Sequence, residues 1–277
     1  VTLAALREAG VDVAALAAPI GADAKPHSKA LGVKAVLEIT VVHEKTTSSN
    51  VAAVMAGADP ALAGECVVIG AHFDHLGFGG ETSLAPTQIG QVHPGADDNA
   101  SGTSAVLELA RGFKAGPPLR RTLLFVNFTG EETGLLGSTH FVKELPAACP
   151  AEKIQLMVNL DMVGRPQGGK VYVQGVDTAK GLRERVRALA ERAPAVPLKL
   201  VWDGEGYAPS DSTAFYSKGI PVLYFFTGAH LDYHRPSDTA DKIDGKATAE
   251  VVRYDGRVAR DLADAQEKLA VVRVEPP

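Results

Sequence analysis

The chain has 277 residues, 45% of them apolar and 22% charged, with a formal net charge of −5. That composition suits a globular chain with a sizeable core. The acidic balance leaves no basic footprint for nucleic acid, and no apolar run approaches the length of a membrane span. Two cysteines exclude a disulfide framework. Cys66, inside the apolar run CVVIG, is expected to be a buried free thiol. Cys149 lies in a loop between Pro146 and Pro150, and its pairing with Cys66 is left open. With no initiator Met and no signal peptide, the sequence reads as a mature or trimmed fragment.

Residues 1–34 are Ala-rich with scattered Gly and Pro. A turn or two of helix fits Leu3–Ala9, and the rest reads as a connector. In Val36–Val42, apolar Leu37, Ile39 and Val41 alternate with polar positions, as in a half-buried strand. Asn50–Met55 reads as its hairpin partner. Cys66–Ala71 is a continuous apolar run, the pattern of a central strand, and Thr122–Phe128, with few polar residues, reads as another. Between them lie a Gly-rich loop at 75–95 and a helix over Asn99–Phe113. A helix is expected over Gly134–Leu145, then strands at Ile154–Leu160 and Lys170–Gln174. A helix capped by Asp177 or Thr178 runs to about Arg192. A strand at Leu198–Trp202, a short helix from Ser210 or Asp211 to Ser217 closed by Gly219, and a strand at Pro221–Phe226 follow. The last element is an amphipathic helix over Lys246–Leu269. This alternation predicts an α/β fold, with a mixed, largely parallel central sheet covered by helices on both faces. The expected organisation is a connector over 1–34, one catalytic domain over 35–272 and a linker-like tail over 273–277.

Five residues stand at or after strand ends, where α/β proteins gather ligands: His72, Asp97, Glu132, Asp161 and His234. His72-Phe73-Asp74 fits either a strand-end His with a solvated Asp, or a ligand whose second nitrogen is oriented by a carboxylate. In Gly95–Gly102, Asp98 and Asn99 can cap the following helix; one cap suffices, which leaves Asp97 free to bridge two cations. Adjacent Glu131 and Glu132 fit a helix first turn, or one cation ligand beside one acid–base group. Asp161 alone reads equally as a turn residue. The loop after PVLYFF holds His230, Asp232, His234 and Asp238, a dense set for a surface loop. Two imidazoles and three carboxylates suit two divalent cations about 3.5 Å apart, zinc first, with Mn or Co as substitutes.

The segments AHFDHLG, PGADDNASG, TGEETGLLGS, NLDMVGR, GYAPSDSTAFYSKGIP and DYHRPSDTADKI resemble, in order, the motifs of the two-zinc aminopeptidases. That family includes bacterial leucyl aminopeptidases and plasma glutamate carboxypeptidase. The resemblance covers residues 37–270 and implies a zinc-peptidase-like, three-layer α/β/α domain. It implies one zinc on His72 and Asp161, another on Glu132 and His234, and Asp97 between them. It further implies Glu131 as general base, Asp74 as the partner of His72, and Tyr207 as a donor to the developing oxyanion. Ser212 stands where many relatives carry His, which touches only details of the pocket. Residues 1–34 resemble the segment that follows a protease-associated domain in larger relatives, and VEPP resembles their lead into a PDZ domain.

The expected reaction is release of the N-terminal residue from peptides with a free N-terminus. The cations activate a water and polarise the carbonyl, Glu131 shuttles the proton, and Tyr207 steadies the oxyanion. A monomer, secreted or periplasmic, is expected, with no nucleic acid or membrane partner. Two other readings compete: a single-zinc glutaminyl cyclase of the same fold, and a catalytically inactive binding domain. The intact ligand set argues against both.

Overall fold

Strand β2, Cys66–His72, is buried along its whole length and pairs in parallel with β3, Thr122–Phe128, on one side and β4, Ile154–Leu160, on the other. Continuous apolar runs are what a strand covered on both faces requires. The computed structural model describes residues 3–23, 45–191 and 198–273, with single residues 25, 26, 28, 34, 36, 38 and 40 between them. The sheet is completed by β1 (Val51–Met55), β5 (Lys170–Gln174), β6 (Lys199–Asp203) and β7 (Val222–Phe226), in the order β1-β3-β2-β4-β7-β5-β6. Only β1 against β3 and β5 against β7 are antiparallel. The sheet is thus mixed and largely parallel, as the sequence predicts.

Alternation along the strands feeds two cores. Val67 and Ile69 of β2, with Leu123 and Phe125 of β3, face one side. There they meet Val106, Leu109 and Phe113 of α3 (Gly102–Ala115) and Val251, Tyr254 and Val258 of α7 (Gly245–Asp264). Val186 of α5 (Leu182–Glu191) joins this core. Val68, Leu124 and Phe128 face the other side, against Phe141 of α4 (Leu136–Phe141) and Phe215 of α6 (Ser212–Ser217). Each such side chain contributes about 1.5–3 kcal/mol of burial, and the two layers hold β2, β3 and β4 with their C-terminal ends at one edge.

The chain divides into two compact units, Val1–Thr46 and Thr47–Pro277. In the first, α1 (Leu3–Glu8) precedes α2 (Val13–Asp23), whose start is capped by the Asp12 carboxylate accepting from Ala14 and Ala15 N–H. The strand expected at Val36–Val42 lies largely outside the described residues. Cys66 is not a free thiol: it is bonded to Cys149. Both are fully buried in the second core, where the loop after α4 packs onto the start of β2. Thr178 does not cap α5; its hydroxyl donates instead to the carbonyls of Gly175 and Val222.

Candidate metal centre

The strand ends deliver most of the expected ligands to one place. His72 closes β2, and its Nδ1 donates to the backbone carbonyl of Asp74 at 3.0 Å. That bond fixes the tautomer and leaves Nε2 as a lone-pair donor. His234 is set the same way: its Nδ1 donates to the carbonyl of Thr82 at 2.9 Å. The loop following β2 therefore reaches across to hold the second imidazole. Leu84 N–H reinforces this by donating to the His234 carbonyl, and a buried Ser83–His93 hydrogen bond of 2.8 Å stiffens the loop.

Between these imidazoles stands Asp98. Its Oδ1 lies 3.3 Å from His72 Nε2 and its Oδ2 lies 3.2 Å from His234 Nε2. Asp161 Oδ1 is 3.4 Å from His72 Nε2, and Glu132 Oε2 is 3.1 Å from His234 Nε2. Two ligands of one tetrahedral zinc, at bonds of about 2.0–2.1 Å, stand roughly 3.3 Å apart. The four spacings match that value. His234 Nε2 is buried and makes no hydrogen bond among the described residues despite two oxygens in reach. A ring nitrogen and carboxylate oxygens that converge at this spacing without a well-formed hydrogen bond fit a cation. His72, Asp98 and Asp161 form one group that can hold a metal ion, and His75, Asp98 and Glu132 form another; His234 Nε2 approaches the same two carboxylates, Asp98 and Glu132.

Asp97, expected to bridge, does not face this cluster. Its Oδ1 accepts Gly164 N–H at 2.7 Å, and its Oδ2 accepts from His230 Nε2 at 3.1 Å. The reason lies in the turn Ala96–Ser101. The buried Asp238 carboxylate accepts both Asp97 and Asp98 N–H, and the side chains of the two aspartates then diverge. Capping is done by Asn99, whose Oδ1 accepts Gly102 N–H and Met162 N–H. Both aspartates are thus released from capping, and Asp98 is the one aimed at the imidazoles.

The carboxylate of Asp74 is 3.8 Å from His72 Nδ1 and holds the next loop instead, accepting Glu131 N–H at 3.1 Å and Glu132 N–H at 3.3 Å. Its backbone oxygen, not its side chain, orients the imidazole. Glu131 Oε2 lies 4.0 Å from His72 Nε2. Burial pushes the Glu131 carboxyl up to about 9; His72 opposes this, while Asp161, Asp211 and Glu132 add to it. Burial lowers the pKa of His234, yet Asp98 and Glu132 outweigh it and hold it up at about 10 in the metal-free protein. Asp161 Oδ2 accepts from Ser210 Oγ at 2.8 Å, which in turn accepts from Asn159 Nδ2. Tyr207 is 38% exposed, with its ring edge-on to Tyr216 at 4.8 Å. It is not among the side chains lining the cavity above the cluster, although its neighbours Gln174 and Pro209 are. That cavity, about 310 Å³, is bounded by His72, Asp98, Glu131, Glu132 and Asp161 below and by Met162, Tyr224, Phe226 and Tyr233 around it.

His75 was not singled out by sequence, yet its Nδ1 lies 2.7 Å from Glu132 Oε1. A second histidine three residues after His72 was the available signal.

Residues 50–258 match peptidase family M28, and the chain belongs to it. Aminopeptidase YwaD of Bacillus subtilis is 32% identical over 188 residues, covering 65% of this chain and 37% of that protein. The solved aminopeptidase from Aneurinibacillus sp. strain AM-1 superposes with a TM-score of 0.62 at 28% identity, covering 82% of this chain and 50% of that one. A glutaminyl cyclase of Porphyromonas gingivalis superposes with a TM-score of 0.61 at 20% identity over 76% of each chain, a likeness of fold. The chain spans well under half the length of curated relatives such as YwaD.

Proposed function

We propose that this chain is a metal-dependent aminopeptidase with two divalent cations, zinc first. His72 and Asp161 would hold one, Glu132 and His234 the other, and Asp98 both. The observation that carries the reading is the division of the Asp98 carboxylate between two imidazoles, each presenting Nε2. The cations, when bound, supply Lewis acidity to a water and to the scissile carbonyl. Glu131, beside His72, would take a proton from the attacking water and give it to the leaving amine. The carboxylate floor suits a free α-ammonium group. The wall of Met162, Tyr224, Phe226 and Tyr233 favours an apolar N-terminal side chain. Tyr207, at the rim, would need to swing inward to donate to an oxyanion.

A secreted or periplasmic location is supported by the Cys66–Cys149 bond, which persists in oxidising compartments. The cyclase reading rests on fold likeness alone. Aminoacyl-p-nitroanilides and a glutaminyl peptide, each assayed with and without chelator, separate the two. Chelator-sensitive release from free but not N-acetylated substrates supports the aminopeptidase. Cyclisation of the glutaminyl peptide without release of any residue would contradict it.

A further inference from the structure

The loop after β2 places His75 against the carboxylate of Glu132, at the oxygen that does not face His234. Its Nδ1 is 2.7 Å from Glu132 Oε1, while Glu132 Oε2 faces His234 Nε2 at 3.1 Å. The first spacing is that of a charge-assisted hydrogen bond; the second is that of two ligands around one cation. His75 Nδ1 is also 3.8 Å from Asp98 Oδ2, beyond hydrogen-bond range. The side chain is nine-tenths buried. Its Nδ1–H donates to the Glu132 carboxylate, and Nε2 is left without a partner among the described residues.

The surrounding chain is shaped to admit this ring. A Cβ at Gly95 would stand 2.6 Å from His75 Cγ and 2.7 Å from Cδ2. Gly95 is therefore needed for the turn carrying Asp98 to pass over the imidazole, and its φ of 60° suits glycine. His75 also meets the His234 ring edge-on, with centroids 5.8 Å apart. The His75 ring thus touches three of the pieces that form the second cation position.

We infer that His75 is a positioning residue: it occupies Oε1 of Glu132, so that only Oε2 is offered to the cation beside His234. A carboxylate with both oxygens free can chelate one cation through both or turn away from it. Tying one oxygen down removes those alternatives before the cation arrives. The inference rests on the ligand assignment proposed above and concerns only one of the two positions.

Two substitutions separate the donor from the shape. His75→Phe keeps a ring of similar size and removes the donor. His75→Asn loses the ring and keeps an amide N–H near the place of Nδ1. Metal-free wild type and variants are titrated with zinc against a chromophoric chelator, with melting temperatures of the metal-free forms recorded alongside. Wild type should bind two zincs. In His75→Phe one step should weaken by about 10–100-fold, the size seen for groups that orient a ligand, while the other step is unchanged. His75→Asn should recover most of the affinity. Unchanged affinities in His75→Phe, or loss in His75→Asn with retention in His75→Phe, would overturn the inference while leaving the two-zinc reading intact. Wild-type protein that takes up no zinc would overturn that reading and the inference with it.

Discussion

Asp97 and Asp98 are neighbours in sequence and face opposite ways: Asp97 Oδ1 closes on Gly164 N–H at 2.7 Å, while Asp98 places one oxygen 3.3 Å and the other 3.2 Å from the imidazoles of His72 and His234. Their roles should separate cleanly. Asp98→Ala should lose bound zinc and nearly all activity. Asp97→Asn keeps an oxygen for Gly164 and should retain both metals. Metal analysis of the two purified variants checks this, and the opposite pattern would return the bridging role to Asp97.

Glu131 stands beside the cluster, and its nearest imidazole nitrogen is 4.0 Å away. Its neighbour Glu132 approaches His234 at 3.1 Å. Glu131→Gln should therefore keep both metals and the fold, yet turn over roughly 10²–10⁴-fold more slowly, the usual cost of losing a positioned base. Glu132→Gln should instead weaken zinc binding. Steady-state kinetics with metal counts on both variants test the division; near-normal kcat in Glu131→Gln would remove it from the chemistry.

Much of this fold is legible in the sequence, because β2, β3 and β4 are covered on both faces and carry few polar residues. Strands Ile154–Leu160 and Lys170–Gln174 have the expected bounds. Helices read less well at their ends. The helix expected over Gly134–Leu145 is only Leu136–Phe141, since Gly134 and Leu135 both adopt positive φ. The last helix stops at Asp264, where the following Ala265 turns extended. The gathering of ligands at strand ends follows from topology and was readable. The direction of each side chain was not. Which aspartate faces the imidazoles depends on Asp238, Gly164 and His230, all more than sixty residues away. The Cys66–Cys149 bond and the His75–Glu132 contact are likewise set by the packing of distant segments.

Asp255 lies fully buried on α7, and neither carboxylate oxygen has a hydrogen-bond partner among the described residues. Burial pushes its carboxyl from the ordinary 3.8 up to about 8. Between those values the folded chain holds a proton that the unfolded chain has released. Its contribution to stability is therefore complete below 3.8 and is lost as the pH rises through about 8. Asp255→Asn cannot ionise and should flatten the fall in melting temperature between pH 3.8 and about 8. Thermal melts of both proteins across pH read this out; equal slopes would exclude Asp255 as the cause.

Tyr207 tests how far the site must move to work. Its ring leans on Tyr216 at the surface, so Tyr207→Phe should leave the melting temperature unchanged. If the hydroxyl reaches the oxyanion, kcat should fall by about 10²–10³ with little change in KM. An unaltered kcat would make Tyr207 a surface residue.

The central claim is that Asp98 stands between two cations, one beside His72 and Asp161 and one beside Glu132 and His234. Anomalous diffraction at the zinc edge from crystals of the zinc-loaded protein tests it most directly. The expected result is two peaks about 3.5 Å apart, the separation usual for paired metal sites, on either side of the Asp98 carboxylate. A single peak, or a pair flanking Asp97, would contradict it.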